Sequence, residues 1–369
     1  MRIDYLSAAS IPSREANSIH VVRMCSALAA AGHRVRLFCR RAKAQNESIL
    51  EWYGETAGVE IVRLPFRRLP LVGAAAYSIR VARSSRRAGL PDLYYARHIH
   101  SLCSVASGGV PMILECHAMP QSVWQDRAMR RLATHPALRR VVAISDALRQ
   151  DLLEKYADLR PEQVMVAHDG ADPPPRDLVP EAIEGRPNAR LHVGYAGHLY
   201  PGKGMELIVQ LPPLVGHADF HVVGGTPEDL AIWRGRVSFP NLFFHGFVSP
   251  ARVQRFLAKF DVVIAPYQYR VAASGGTGDI SRWMSPLKIF EYMAAGKSIV
   301  ASDLPVLREI LEDGRNALLC RPDKPGDWAA ALHRLMDDPA LAVRLGSAAR
   351  DDFERQYSWK SRAERVVAS

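Results

Sequence analysis

Cysteine is scarce in this chain of 369 residues: there are five, and they stand far apart. An odd, scattered set does not form the disulfide framework of a small secreted domain, and no two cysteines have the spacing of a metal site. No apolar run approaches the roughly 18 residues that a membrane-spanning helix needs. No cleavable signal follows the first predicted strand. We therefore expect a cytoplasmic protein with reduced thiols.

Several short catalytic motifs are also missing. HExxH, paired CxxC and DxD do not occur, so nothing in the sequence calls for a metal ion, and there is no GxSxG nucleophile elbow. The first strand leads into Ser7-Ala8-Ala9-Ser10 without the glycine fingerprint of a dinucleotide site. This disfavours a nicotinamide dehydrogenase. We expect neither a metal nor another cofactor.

Acidic residues are absent from one long stretch. Residues 61–91 contain seven arginines and no Asp or Glu, in a chain with a net charge of +10. With apolar residues between the arginines, the stretch fits a phosphorylated acceptor or the anionic inner face of a membrane, to which the protein would bind peripherally. An ordinary solvated basic helix is the alternative. Nucleic acid is not expected as a partner, because no stacking aromatic residues or helix-turn-helix pattern accompany the arginines.

Strand-like runs alternate with amphipathic helical stretches along the whole chain, which predicts the α/β class with parallel sheets. The length favours two domains. Periodicity breaks at Pro173-Pro174-Pro175, so we place a linker at 173–190 between domains at 1–172 and 191–351. A terminal helix near 352–369 is expected to pack back on the first domain. The predicted architecture is two doubly wound, Rossmann-like domains facing a central cleft, which is the expected active site.

Each domain has its own set of predicted strands. Those of the first domain are Ile3–Leu6, His33–Phe38, Val59–Leu64, Leu93–Tyr95, Met112–Glu115, Val141–Ile144 and Gln163–His168. Those of the second are Leu191–Gly197, Phe220–Val223, Leu242–Phe244, Val262–Ala265, Ser298–Ala301 and Ala317–Cys320.

The stretch from Ser285 to Gly296 predicts a helix with an anion site at its start. Ser285 suits the N-cap, Pro286 the first helical position and Gly296 the end. The unpaired amides of the first turn and the helix dipole attract a phosphate, and Lys288 adds a cation. Glu291 follows the cap by six residues, roughly 9 Å along the axis, where a carboxylate can accept ribose hydroxyls. This layout suits a nucleoside diphosphate.

A second candidate phosphate site is the glycine-rich turn from Gly197 to Gly204, after the first strand of the second domain. Its glycines let the backbone approach a phosphate, and Lys203 can neutralise one. A purely structural turn is the alternative interpretation. This turn and the Ser285 turn both follow strands of one sheet, so we expect them to converge.

Other loops are expected at the same rim of the sheet. Gly224-Gly225-Thr226 follows one strand, and Phe244–Val248, with Phe247, can hold a base by stacking and backbone amides or form a simple turn. The small and flexible loop Ala272–Asp279 is expected to cover the reacting group.

In the first domain, His117 lies just past the end of a predicted strand, where it can face the cleft. A histidine hydrogen-bonds or exchanges a proton near neutral pH, although a structural histidine is the alternative. Arg97 and Glu115, at similar strand ends, can orient His117 or meet an acceptor. Ser18 is expected to cap the first helix and is a candidate phosphate contact.

Taken together, these segments resemble the GT-B retaining glycosyltransferases of family 4 over almost the full length of the chain. The resemblance rests on the order and spacing of Asn17–Val35, Val142–Ser145, Asp169–Asp172, Gly197–Gly204, Phe247-Val248, Asp261–Tyr267, Ser285–Ser302 and Tyr357–Trp359. It implies a nucleoside-diphosphate-sugar donor held mainly by the second domain and a glycan, lipid-linked or small-molecule acceptor held by the first. It also implies transfer with retention, without a metal.

The resemblance assigns roles to the candidate residues. Lys203, with the amides at Ser285–Leu287, would neutralise the diphosphate, Glu291 would take the ribose hydroxyls, and His117 would lie near the reacting sugar; these three side chains form the catalytic set. The donor-binding set is Gly197, His198, Lys203, Gly204, Phe247, Ser285, Pro286, Leu287, Lys288 and Glu291. The set on the acceptor side of the cleft is Ser18, Arg97, Glu115 and Asp279.

Two positions depart from the family pattern. Trp283 stands eight residues before Glu291, where the family usually has a glutamate, and Asp279 is the candidate to replace that carboxylate. His198 stands in place of the usual arginine of the phosphate turn, which leaves Lys203 as the cation of that loop and Lys288 as a helper. A nucleotide-sugar epimerase and a catalytically degenerate binding protein on the same fold are the alternative functions.

Overall fold

A computed structural model of the chain describes residues 1–13, 15–42, 53, 56, 58–66, 73–272 and 278–368. It divides into two compact units: unit 1 is Met1–Asp169 with Trp359–Ser369, and unit 2 is Gly170–Ser358. The predicted linker, 173–190, falls within unit 2. Two contacts hold this segment in unit 2. The Arg186 side chain pairs with the buried Asp219 at 2.6 Å, and the Glu181 N–H donates to the Arg255 carbonyl.

Unit 1 is built on one parallel sheet. Its strands are β1 (Arg2–Ile11), β2 (Arg34–Arg41), β3 (Val59–Leu64), β4 (Leu93–Ala96), β5 (Met112–Cys116), β6 (Leu138–Ala143) and β7 (Val164–Val166). Its helices are α1 (Ala16–Ala30), α2 (Gly73–Arg87), α3 (Ile99–Val105), α4 (Val123–Ala133) and α5 (Asp146–Lys155). Among the described residues the strand order is β3-β2-β1-β4-β5-β6-β7.

Unit 2 repeats this plan. Its strands are β8 (Leu191–Ala196), β9 (Ala218–Val223), β10 (Leu242–Gly246), β11 (Val262–Ala265), β12 (Ser298–Ser302) and β13 (Leu318–Cys320). Its helices are α6 (Met205–Ile208), α7 (Pro227–Arg236), α8 (Pro250–Lys259), α9 (Leu287–Ala294), α10 (Pro325–Asp337) and α11 (Pro339–Asp352). In the described part of this unit the order is β10-β9-β8-β11-β12-β13. The chain ends with α12 (Trp359–Val367), which belongs to unit 1.

The predicted α/β class with parallel sheets is confirmed. Strands such as β11 are buried at every position, because helices cover both faces of a doubly wound sheet. One strand is longer than predicted: β1 continues past Leu6 to Ile11, and after a register shift Ser10 pairs with Arg40 of β2. Its small residues look like a loop in the sequence, but backbone pairing with β2 holds them extended.

Candidate functional site

The carboxyl ends of the unit 2 strands bring two predicted loops together. After β8 the chain turns through Gly197–Gly204, and after β11 it runs from Pro266 toward α9. The Gln268 N–H donates to the Gly202 carbonyl at 3.0 Å, and the Ala272 N–H donates to the Pro201 carbonyl at 3.1 Å. The two loops therefore lie side by side at one edge of the sheet.

Glycine is required at both ends of the β8 turn. Gly204 has a φ of +102°, and a Cβ there would lie 2.2 Å from the Pro266 carbonyl oxygen. Gly197 has a φ of +151°, and a Cβ there would lie 2.8 Å from Nζ of Lys288. Gly204 thus allows the two loops to pack closely at Pro266, whereas Gly197 leaves space for the buried ammonium of Lys288.

Lys288 is the most unusual side chain of this edge. It is only 8% exposed, and its Nζ is buried without a hydrogen-bond partner among the described residues. The ammonium lies 3.6 Å from the ring centroid of Tyr195 and 5.2 Å from that of Tyr267. Burial, with a further contribution from the nearby Lys203, holds the pKa of Lys288 well below its ordinary value.

Lys203 reaches the same place from the glycine turn. Its Nζ also lies 5.2 Å from the Tyr267 ring centroid, and burial lowers its pKa to about 8. Within the described ranges, no carboxylate lies at ion-pair distance from either lysine. Two desolvated cations that face aromatic rings and have no ion-pair partner among the described residues form a site that an anion would stabilise.

The helix that carries Lys288 begins one residue later than predicted. Pro286, with φ −77° and ψ 118°, is the N-cap of α9, and Ser285 precedes it and is buried. The prediction that Ser285 caps this helix is therefore wrong: the extended Pro286 already ends the preceding loop, and its carbonyl accepts from the Ile289 N–H at 3.0 Å. Leu287 becomes the first helical residue, and the N-cap proline has no side-chain acceptor to offer to the amides of the first turn.

The remaining donor-side candidates occupy different surroundings. Glu291 lies one helical turn beyond Lys288 and is close enough to act on its charge. The His198 ring stacks on Tyr200 at 4.8 Å, and its carbonyl accepts a 2.6 Å hydrogen bond from Tyr195. Phe247 directly follows β10 at the same edge of the sheet.

Asp279 lies at the surface, in the loop that leads toward α9. Its Oδ1 accepts from the backbone N–H groups of Val271 and Ser281 at 3.1 and 2.9 Å, so it holds the loop. Trp283 is half-buried nearby. Most of the predicted sugar-covering loop, 273–277, lies outside the described residues.

In unit 1, Glu115 is the centre of a buried ionic cluster. Its Oε1 lies 2.5 Å from His117 Nε2 and 2.6 Å from His20 Nε2, while its Oε2 accepts from Arg362 Nη1 at 3.2 Å and from the Tyr95 hydroxyl. Burial by itself would raise the pKa of Glu115, but Arg362, His20 and the hydrogen bond from His117 hold it well below its ordinary value.

The cluster extends to Asp169, just after β7. His20 Nδ1 lies 3.0 Å from its Oδ1, and although burial opposes it, the charge of His20 lowers the pKa of Asp169 to about 2. Histidine and carboxylate side chains commonly bind metal ions, and in His20, Glu115, His117 and Asp169 the possible ligand atoms lie within 4.8 Å of one another. However, two ligands of a tetrahedral ion with bonds of about 2.0 Å stand about 3.3 Å apart. The shorter separations around Glu115 fit protons between the groups.

His117 is the exposed end of this cluster. Its side chain is 22% exposed, whereas that of Glu115 is fully buried. Burial and the neighbouring Arg97 lower the pKa of His117 to about 3, so the ring is neutral. Arg97 follows β4, and its Nη1 is buried without a hydrogen-bond partner among the described residues. The structure therefore brings together the three strand-end residues that the sequence singled out.

Ser18 has a different place from the predicted one. The N-cap of α1 is Glu15, and Ser18 is the third helical residue, fully buried. Its hydroxyl donates to the carbonyls of Ser13 and Glu15 at 2.9 and 2.8 Å. The prediction that Ser18 caps the helix is wrong, because its hydroxyl is used on the preceding turn.

Comparison with known families decides the identity of the chain. Residues 18–173 match the model described as Glycosyltransferase Family 4, and residues 190–338 match the model described as Glycosyl transferases group 1. The chain belongs to the family 4 glycosyltransferases. The resemblance found in the sequence is confirmed.

Relatives of this glycosyltransferase share about a quarter of its residues. A D-inositol 3-phosphate glycosyltransferase of a Nocardioides species is 26% identical over 95% of this chain and 83% of its own. An alpha-maltose-1-phosphate synthase of Mycolicibacterium smegmatis is 24% identical over 70% of this chain and 72% of its own.

Solved structures show the same GT-B fold. Anabaena HepE, in complex with UDP, aligns over 99% of this glycosyltransferase and 98% of its own chain with a TM-score of 0.70 and 19% identity. Sucrose-phosphate synthase of Thermosynechococcus elongatus aligns over 99% and 97% with a TM-score of 0.71 and 18% identity. In the part of the glycosyltransferase that the structure describes, no helix has the length and apolar character to span a bilayer.

Sequence reasoning missed several members of the Glu115 cluster in this glycosyltransferase: His20, Tyr95, Asp169, Trp359 and Arg362. Arg362 carried a usable signal. It shares a helical face with residues 359, 363, 366 and 367, all of which are apolar and buried. A charged residue inside an apolar stripe usually has a buried partner. The other members depend on contacts that no local pattern reveals.

Proposed function

We propose that this glycosyltransferase moves a sugar from a nucleoside-diphosphate-sugar donor to a glycan, lipid-linked or small-molecule acceptor, with retention of configuration. Unit 2 would bind the donor and unit 1 the acceptor. The observation that carries the proposal is the lysine pair: Lys288 and Lys203 face one Tyr267 ring, and Nζ of Lys288 is buried without a partner among the described residues.

A diphosphate is the ligand that fits these two cations. Transfer from such a donor develops negative charge on the departing nucleoside diphosphate, and fixed positive groups lower the barrier to its departure. Lys203 and Lys288 supply that charge, and the first turn of α9 adds the partial positive charge of the helix dipole. We therefore propose that the reaction needs no metal ion. Complexes of HepE with UDP and with UDP-glucose support a nucleotide-sugar donor for this fold.

Calorimetric titration with UDP and with UDP-, GDP- and ADP-glucose tests the donor site. Lys288→Met should weaken nucleotide affinity by about 10- to 100-fold, the effect of losing a charge-assisted contact. Lys259→Met, at the exposed end of α8, is the matched control and should bind like the wild type. Equal affinity in the Lys288 variant would contradict the assignment.

Product analysis tests the reaction itself. Release of nucleoside diphosphate, with the anomer of the product determined by NMR, would demonstrate transfer and its stereochemistry. Inversion would contradict retention. Tight donor binding without turnover, across a panel of acceptors, would favour the non-catalytic binding protein.

We also propose that α2 binds an anionic membrane surface. Arg80, Arg83, Arg86 and Arg87 are exposed on this helix, and the apolar Ile79 beside them is 48% exposed. Tyr77 and Val81 on the opposite face are buried in unit 1. Cations and apolar side chains on one exposed face suit an interface with anionic lipids. Arg67 and Arg68, part of the same basic stretch, lie outside the described residues.

A further inference from the structure

The Glu115 cluster is assembled from elements far apart in the chain. Glu115 is in β5, Tyr95 in β4, His20 in α1, and Asp169 follows β7. Arg362 comes from α12, 247 residues away from Glu115, and has no exposed surface. A buried guanidinium at the end of the chain thus lies inside the network that holds His117.

The two oxygens of Glu115 have separate sets of partners. Oε2 accepts from Arg362 and Tyr95, which leaves Oε1 facing the imidazoles of His117 and His20. An ionised carboxylate only accepts hydrogen bonds. The proton between His117 and Glu115 therefore belongs to Nε2 of His117. Since the ring is neutral, its Nδ1 carries a lone pair, and no described residue hydrogen-bonds to that atom.

Arg362 is fixed independently of Glu115. Its Nε donates to the His168 carbonyl at 2.9 Å, and its Nη2 donates to the Ala167 carbonyl at 3.1 Å. The planar guanidinium is therefore oriented by the backbone after β7, and its Nη1 is directed at Glu115. A lysine ammonium has all its N–H donors on one nitrogen, so it cannot reach both backbone carbonyls and Glu115 in this way.

We propose that Arg362 is a positioning residue that, through Glu115, sets the tautomer and orientation of His117 so that Nδ1 accepts a hydrogen bond from a substrate hydroxyl. In this arrangement His117 does not donate a proton to the substrate. The inference deepens the proposed function, since the tautomer matters for transfer only if a sugar or acceptor hydroxyl meets His117.

The charges around His117 are consistent with this role. Glu115 and Asp169 are the anions, Arg362 and Arg97 are cations, and Tyr5 and Tyr95 are neutral phenols. His20 has a carboxylate oxygen close to each of its ring nitrogens. The Trp359 ring meets His20 edge-on at 5.0 Å, so α12 buries the cluster as well as supplying its cation.

Nitrogen-15 NMR of histidine-labelled protein tests the tautomer of His117 without any nucleotide-sugar donor present. The spectrum of the His117→Gln variant assigns the His117 signals. In the wild type, Nδ1 should resonate as an unprotonated and Nε2 as a protonated imidazole nitrogen. In Arg362→Met, Glu115 loses its cation, and the His117 signals should move toward a mixture of tautomers. A wild-type Nδ1–H tautomer, or a spectrum unchanged in Arg362→Met, would overturn the proposal.

Turnover provides a second measurement. Arg362→Met should lower kcat by about 10- to 100-fold, as expected for loss of a charge-assisted orienting contact, while UDP affinity in unit 2 stays unchanged. Arg365→Met, an exposed arginine of the same helix, should retain the wild-type kcat and spectrum. Arg362→Lys should recover little, because the lysine cannot reproduce the fork. Full recovery by lysine would show that charge alone suffices and would overturn the orienting role.

A double variant keeps the test decisive if Arg362→Met does not fold. Glu115→Gln removes the charge that Arg362 balances but keeps an oxygen acceptor for His117. If Arg362 acts through Glu115, the Glu115→Gln and Arg362→Met double variant should fold and should lose no more kcat than Glu115→Gln alone. Additive losses would show that Arg362 acts by another route. If instead wild-type UDP binding fails while the tautomer is as stated, the proposed donor site is at fault and the positioning inference stands.

Discussion

Replacing Lys203 by methionine should stabilise the ligand-free protein against unfolding and weaken its binding of diphosphates. The ammonium of Lys203 is partly desolvated and lies over the Tyr267 ring, and no described carboxylate pairs with it. Burial moves its pKa from the ordinary 10.5 to about 8, and at about 1.4 kcal/mol per unit this amounts to roughly 3 kcal/mol of destabilisation by the charged form. Methionine keeps most of the side-chain volume and removes the charge.

The pH dependence of this effect has a definite sign. Below pH 8 the lysine is charged in both the folded and the unfolded chain, so the whole penalty is present. Between pH 8 and 10.5 the unfolded chain holds a proton that the folded chain has released, and wild-type stability gains from rising pH. The advantage of Lys203→Met should therefore be largest near pH 7 and should shrink as the pH approaches 10.5.

Differential scanning calorimetry at pH 7 and at pH 10 measures this advantage. Lys259→Met, an exposed lysine of unit 2, controls for the change to methionine itself. At pH 7, inorganic pyrophosphate should raise the melting temperature of the wild type and of Lys259→Met but have little effect on Lys203→Met. A Lys203 variant that is less stable than the wild type at pH 7, or whose advantage does not shrink at pH 10, would refute the reasoning.

Two further outcomes follow from the donor site and the basic helix. Glu291→Ala should weaken nucleotide binding by roughly 1.5–3 kcal/mol in calorimetric titration, because it removes a charged hydrogen-bond acceptor for the ribose; unchanged affinity would exclude that role. Changing Arg80, Arg83, Arg86 and Arg87 of α2 to glutamine should reduce sedimentation with phosphatidylglycerol vesicles, at about 1 kcal/mol per arginine near the surface. Vesicles of phosphatidylcholine are the control, and equal sedimentation of both proteins with anionic vesicles would leave α2 an ordinary solvated helix.

The sheets could be predicted because their strands carry a strong local signal. In a doubly wound fold both faces of a central parallel strand are covered, so a strand such as Val262–Ala265 appears as a short β-branched run with boundaries that the sequence already shows. The edge strand Val59–Leu64, whose residues are partly exposed, also has the predicted boundaries. The predicted end of β1 was wrong because backbone pairing with β2 holds small residues of the second half of the strand in an extended conformation. The predicted start of α9 was one residue early, because a serine–proline pair allows a helix to begin on either side of the proline.

The two candidate sites differ in how far local sequence reveals them. In unit 2 the glycines and lysines stand within two short segments, so the pattern alone indicated an anion site. In unit 1 the sequence pointed to His117, Glu115 and Arg97 at strand ends, but the only sign of the ionic network beneath them was a charged Arg362 within an apolar helical stripe. His20 and Arg362 enter that network from helices at opposite ends of the chain, and only the tertiary structure brings them to Glu115.

The charges of the two sites also serve different purposes, and the same kind of substitution should distinguish them. Around Glu115 the buried anions have cationic partners, so removing Arg362 leaves a buried carboxylate without its main counter-charge and should destabilise the protein by about 3–5 kcal/mol. Around Tyr267 the lysines lack such partners among the described residues, so removing Lys203 should stabilise it. A buried charge that destabilises the ligand-free protein is expected to contribute to binding. Opposite signs of the stability change in Arg362→Met and Lys203→Met would therefore show that the first cluster is balanced by its own ion pairs and that the second holds a charge that a bound anion would balance.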